Sequence, residues 1–160
     1  MLYLELIDDP LDEGNLLIQE EILNSDPYFL KNAEGKQALT KEDIIEELLE
    51  NTAYEARFYF IKNDNEHIGL IYYIPDKPQP HYGWLSLFII HKNYQQHGLG
   101  KKSYQLFEDL VKKELLEVIR LCAQVENKRG GLFWRRNGYH KIGTTWDKKQ
   151  HRINVYEKVL

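Results

Sequence analysis

One stretch limits what this chain can fold into more than any other. Trp84 to Ile90 (Trp-Leu-Ser-Leu-Phe-Ile-Ile) is a near-continuous apolar run of strand length, as expected for a strand buried on both faces. A polar loop carrying Gly98 and Gly100 follows. Leu99, Leu106, Phe107, Leu110, Val111 and Leu115 then recur near the helical period, and Lys101 and Lys102 add positive charge at the helix start. A buried strand, a glycine-bearing turn and a helix in that order make an anion cradle. The first N–H groups of a helix have no internal partner, its dipole favours a negative guest, and glycine lets that guest approach the backbone. An ordinary connection that merely uses glycine would look the same at this level, so spacing has to discriminate.

A Walker A loop is excluded, because Gln95 stands where its first glycine belongs and Lys102 where its hydroxyl belongs. The dinucleotide fingerprint fails at Ser103, where its third glycine is required. A third pattern fits. Gln95-Gln96-His97-Gly98-Leu99-Gly100 matches Gln/Arg-x-x-Gly-x-Gly/Ala, and in this the chain resembles the GNAT superfamily of acetyl-CoA-dependent N-acetyltransferases. A second segment strengthens the resemblance. After the apolar run Val118 to Val125 come Asn127, Gly130, Gly131, Phe133, Trp134 and Gly138-Tyr139, at the spacing of that family's later motif. The likeness is good over about residues 50–145 and poor in the N-terminal third.

The pass along the chain predicts β-α-α-β-β-β-α-β-α-β-β. A weak strand at 2–7 precedes a helix at 11–24 with Leu16, Leu17, Ile18, Ile22 and Leu23 as its apolar positions. Asp26-Pro27 ends that helix, and 28–39 reads as irregular. Thr40, with Asp43 three residues on, opens a helix with Ile44, Ile45, Leu48 and Leu49 inward and a stop near Asn51. Two β-rich runs, 54–62 and 67–74, flank a hairpin signal at Asn63–Glu66. Pro75, Pro78 and Pro80 stiffen the approach to the central strand. A short helix at 130–137 is closed by Gly138, and strands near 139–145 and 152–159 finish the chain. The expected fold is one α/β (α+β) domain over 1–160, a mixed and mostly antiparallel sheet of six to seven strands flanked by about four helices. That is also the order the resemblance implies.

Composition removes other classes. No apolar run reaches membrane-spanning length, the start lacks a basic leader, and the single cysteine, Cys122, rules out an internal disulfide framework. A reducing cytoplasmic setting is the default expectation. The net charge of −4 is uneven: residues 1–60 hold 15 Asp/Glu against 4 Lys/Arg, a balance of −11, which leaves +7 for the rest. With no dense basic run and no aromatic-basic motif, nucleic acid is not expected as a partner. No spacing of His and Cys suggests a metal, and no nucleophile elbow is present.

The resemblance implies a site for acetyl-CoA. Phe88, Ile89 and Ile90 would pair strand-like with the pantetheine arm, and the amides of Gln96, His97, Gly98, Leu99, Gly100 and Lys101 would hold the pyrophosphate behind Gln95. Asn127 would reach the cofactor from the neighbouring strand, with Phe133 and Trp134 near its thiol end. Core packing is the alternative role for both Phe133 and Trp134, and for Phe133 it is the better reading. Two departures stand out. Trp134 occupies the place where many members carry a tyrosine that protonates the departing thiolate, and an indole N–H is far too weak an acid for that task. Lys92 stands where proline is common. For a base the sequence offers Ser86, read as sharing a strand face with Trp84, Phe88 and Ile90, together with His81, Tyr82 and Cys122. His91 and His97 read as surface or phosphate-proximal. The acidic N-terminal third, with Glu20, Glu21, Glu46, Glu47 and Glu50 among its members, favours a cationic amine as acceptor, either a small molecule or a protein lysine or N-terminus. The alternative is an acyl-CoA-binding domain without turnover. A homodimer is an expectation of the resemblance alone.

Overall fold

A computed structural model describes residues 1–160. Seven strands form one open sheet in the order β1-β2-β3-β4-β5-β7-β6. They are β1 (Leu2–Leu6), β2 (Arg57–Asn63), β3 (Glu66–Pro75), β4 (Tyr82–Ile90), β5 (Val118–Gln124), β6 (His140–Trp146) and β7 (Arg152–Val159). Five helices accompany them: α1 (Glu13–Leu23), the short α2 (Pro27–Phe29), α3 (Lys41–Ala53), α4 (Leu99–Lys113) and α5 (Lys128–Arg136). Every strand pairing is antiparallel except β4 with β5. This is the expected mixed fold, with one helix more. The extra helix falls in the stretch read as irregular, where Asp26 caps α2 and a π-helical turn (Leu30–Glu34) closes on Gly35 in the left-handed region.

Local chemistry sets most element ends. Thr40 and Asp43 form the expected capping box, with Thr40 N–H to Asp43 Oδ2 at 2.9 Å and Asp43 N–H to Thr40 Oγ1 at 3.1 Å. The backbone bond from Thr40, aided by Lys36, holds the Asp43 carboxyl down at about 2. The helix does not stop at Asn51 but runs on to Ala53. The inward stripe of α3 is Ile44, Leu48 and Asn51, and Leu49 is exposed; on α1 Leu17 is likewise exposed and Gln19 buried. Leu115 is not an inward helix residue either. It lies beyond α4 with φ of 66°, 71% exposed, while Leu116 takes the core position.

The two faces of the sheet carry separate cores. On one, Tyr104, Phe107 and Val111 of α4 and Trp134 of α5 pack on Ile71, Tyr73, Leu85, Ile119, Leu121 and Tyr156. On the other, Leu16, Ile22 and Leu23 of α1 and Ile44 and Leu48 of α3 cover Phe58, Phe60, Leu70, Tyr72, Leu87 and Ile89. α1 and α3 cover the second face only as far as β4; beyond it the π-helical turn packs on β5, and every residue of β6 is exposed. This is why β5 is not the fully buried strand its composition suggests: Leu121 is buried, and its neighbour Cys122 is exposed.

Candidate active site

The site begins with a fault in the central strand. Register between β3 and β4 slips at Tyr72 and Tyr73, which pair with Leu87 and Leu85 and leave Ser86 as an extra residue. Leu85 therefore faces the α4–α5 core, Ser86 and Leu87 both face α3, and Phe88 returns to the α4–α5 side. Strict alternation, with Ser86 on the face of Phe88 and Ile90, is thus corrected by the bulge. Past the fault the sheet opens. β4 and β5 are paired only through Tyr82–Val118, Gly83–Ile119 and Trp84–Arg120, and no pairing joins them beyond.

The opening is a cleft of about 800 Å³. One wall is Phe88, Ile89 and Ile90; the other is Asn127, Gly130, Phe133 and Trp134 of α5 and its cap; Gln95, Gln96, Gly98, Gly100 and Lys101 form its mouth. Most of the residues expected to serve a cofactor are brought to this one cavity. His97 and Leu99 belong to the same loop without lining the cleft. At the mouth, Gln96 and Gly98 both have positive φ (66° and 74°), and a Cβ on Gly98 would meet open space. The α4 start carries no side-chain cap, whereas Asp12, Thr40 and Asn127 cap α1, α3 and α5. None of the backbone N–H groups from Gln96 to Lys101 donates to an acceptor within the chain. With Lys101, Arg129 and Arg136 around it, this turn is chemically suited to a diphosphate.

Gln95 lines the mouth and also braces it. Its amide donates to the Ile90 carbonyl at 2.9 Å and to Asp26 at 3.0 Å, locking the loop to the end of β4 and to the α2 cap. Tyr28 closes the cleft from the same side, accepting the Arg129 N–H at 3.1 Å while the guanidinium lies 4.4 Å from its ring centre. Asn127 Oδ1 accepts the Gly130 N–H at 3.0 Å and so works as the α5 cap while lining the cleft. Trp134 is 8% exposed and stacks edge-on against Phe88, Phe133, Tyr104 and Tyr139. Beneath it the Tyr104 and Tyr139 hydroxyls share a bond of 2.8 Å, and desolvation raises both above the ordinary phenol value. Neither is acidic enough to take the place of a phenol at position 134.

The other side of the gap holds the remaining candidates. Ser86 Oγ donates to Asn51 Oδ1 at 2.7 Å. Cys122 opens on the uncovered face, its thiol pushed up by local desolvation and by Asp147. His81 is an exposed loop residue turned toward the Leu115 carbonyl, and Tyr82 lies under Arg120. His91 is not at the surface. It is buried, donates from Nε2 to Glu21 at 3.0 Å and accepts the Asn93 N–H at Nδ1. What sequence reasoning passed over is Glu47: treated there as one of many acidic helix residues, its carboxyl is pushed up to about 7 by burial, with Glu34 of the π-helical turn adding to the shift. Only its helical spacing from the inward residues Ile44 and Asn51 hinted at this.

Fold and cleft together define a mixed α/β protein with an anion-suited slot where its sheet splits, and the comparisons with known proteins make the class specific. The sequence matches the model of the Acetyltransferase (GNAT) family over residues 19–139, and the chain belongs to that family. Solved structures repeat the fold at low identity. An acetyltransferase from Thermus thermophilus is 18% identical with a TM-score of 0.78, covering 99% of this chain and 97% of that one. A Salmonella typhimurium acetyl transferase, described as modifying the N-terminal serine of ribosomal protein L7/L12, is 16% identical with a TM-score of 0.77, covering 99% and 95%. The PaiA N-acetyltransferase of Thermoplasma acidophilum, solved with coenzyme A, is 18% identical with a TM-score of 0.66, covering 98% and 99%. No curated protein matches the sequence. No helix is long and apolar enough to cross a membrane.

Proposed function

We propose that this protein transfers the acetyl group of acetyl-CoA to a primary amine by direct attack, with the cofactor in the cleft between β4 and β5. The observation that carries this is the run of unpartnered amides from Gln96 to Lys101 at the mouth of a slot walled by a strand edge. In this reading the amides and Lys101 hold the diphosphate, Phe88 to Ile90 align the pantetheine arm, and Asn127, Phe133 and Trp134 bound its far end. Alignment supplies much of the rate, since a held pair of reactants reacts as one molecule. A backbone N–H of β4 near Ile90 meets the developing oxyanion. The acceptor is a cationic amine, drawn by the −11 balance of residues 1–60. A protein N-terminus, the kind of acceptor named for the Salmonella protein, falls within that class.

Titration calorimetry with coenzyme A on the wild type and on a Gly98→Val/Gly100→Val variant tests the assignment. Valine at 98 is strained at φ 74°, and at 100 a Cβ already lies 3.2 Å from Phe133. Affinity in the wild type and its loss in the variant is the expected pair of results. Absence of affinity, or affinity untouched by the two valines, overturns the reading. One observation favours a second reading, an acyl-CoA-binding domain without turnover: Trp134 replaces the phenol, and Tyr104 and Tyr139 are too weakly acidic to stand in. Release of coenzyme A with a panel of amines separates the two.

A further inference from the structure

The cleft does not end at the diphosphate turn. It continues along the outer face of α5, where Arg129, Leu132, Phe133 and Arg136 line it at helical spacing while Gly131 and Trp134 are buried on the opposite side. A Cβ on Gly100, in the first turn of α4, would lie 3.2 Å from the Phe133 ring, so the start of α4 and this face of α5 wall one space. Leu132 is 49% exposed there and belongs to neither core. Most of the arginines are engaged within the chain. Arg57 pairs with Glu114 at 2.7 Å and Arg120 with Glu157 at 2.6 Å, while Arg129 and Arg152 lie on the rings of Tyr28 and Trp146. Arg135 and Arg136 make no hydrogen bond, ion pair or ring contact, and of these two only Arg136 lines the cleft. The helix end beside it is poor in free carbonyls that would repel an anion. Phe133 accepts from the Asn137 side chain at 2.8 Å, Trp134 from the Tyr139 N–H at 3.0 Å and Asn137 from Lys158 at 2.8 Å.

We infer, on the acetyl-transfer reading above, that Leu132 and Arg136 form the subsite for the adenosine 3′-phosphate of coenzyme A, and that Arg136 makes the protein distinguish coenzyme A from its 3′-dephospho form. Coenzyme A carries phosphate in two places: the diphosphate and, on the ribose, a phosphomonoester of about −1.5 to −2 charge at neutral pH. The turn from Gln96 to Lys101 suits the first group. The second needs a cation of its own, and a guanidinium meets a phosphate with two parallel N–H donors. Arg129 is held by Tyr28 and reaches Gln95 at 3.5 Å, and Lys101 serves the diphosphate, which leaves Arg136 for this group. The adenine ring calls for an apolar surface, and Leu132, one turn before Arg136 on the same face, presents one.

The test is titration calorimetry of coenzyme A and of 3′-dephospho-coenzyme A on full-length wild type, Arg136→Gln and Arg135→Gln. The wild type should bind the dephospho form about tenfold more weakly, the weight of one hydrogen-bonded contact to a charged group. Arg136→Gln should lower coenzyme A affinity by about the same factor and leave the dephospho form within about twofold, so that the preference disappears. Because Arg136 is exposed and bonds nothing within the chain, this variant keeps the fold. Arg135→Gln removes an equal charge from the same helix end but not from the cleft, and should keep the preference. Equal affinity of the wild type for both compounds, equal loss of both in Arg136→Gln, or loss of the preference in Arg135→Gln overturns the assignment and leaves the acetyl-transfer reading standing. Binding of neither compound to the wild type overturns that reading, and this assignment with it.

Discussion

Ser86 of β4 and Asn51 of α3 are joined by a hydrogen bond of 2.7 Å, and that bond ties the bulge in the central strand to the helix above it. Because Ser86 spends its proton on Asn51, it is a fixed structural hydroxyl. Replacing Ser86 with Ala should cost about 1–2 kcal/mol of stability, the penalty of stranding the buried Asn51 carbonyl. The turnover number should change less than about threefold, where removal of a true base costs about 10²-fold or more. Denaturant melts and kcat on the same preparation check both.

Trp134 is set among Phe88, Phe133, Tyr104 and Tyr139 as a packing residue at the end of the cleft. Trp134→Phe should lower stability by about 1–3 kcal/mol through the cavity it leaves. The chemical step, read as single-turnover acetyl transfer, should be affected only a few-fold, since an indole gives no proton.

Cys122 is exposed yet carries a raised thiol pKa, so little of it is thiolate at neutral pH. Its alkylation by a maleimide at pH 7.5 should run more slowly than that of a free thiol such as glutathione and should accelerate steadily with pH. Cys122→Ser should keep acetyl transfer, which excludes an acyl-cysteine route.

Glu47 gives the fold a pH dependence of definite sign. A carboxyl whose folded value is raised to about 7 favours the protonated form, so its contribution is fully present below the ordinary value of 4.5 and is lost as pH rises toward 7. Glu47→Gln should therefore stabilise the protein at pH 8 by on the order of 2–3 kcal/mol and bring no gain at pH 4. Thermal melts of both proteins across that range read the difference directly.

The strand–turn–helix unit, the Thr40 capping box and the Asn63–Glu66 hairpin were legible because each rests on contacts only a few residues apart. Gln95 to Lys101 and Asn127 to Tyr139 were legible by spacing, which resemblance turned into one cleft. Ser86 was misplaced because a bulge is a disagreement between two strands, and neither strand records it alone. His91 was misjudged because its partner, Glu21, lies in the N-terminal third. Glu47 looks like any solvated acid of an acidic helix. What sets it apart is the company brought by the π-helical turn and the β6–β7 loop, which come from distant parts of the chain.

Three residue pairs, Tyr82–Val118, Gly83–Ile119 and Trp84–Arg120, make up the whole backbone pairing between the four-strand half of the sheet and the three-strand half. They act as a fulcrum between two arms of the sheet, and the α4–α5 core spans both. A guest wedged along the β4 edge would stiffen both arms at once. Amide exchange in β5 and β7, far from any direct contact with that guest, should slow when coenzyme A is added.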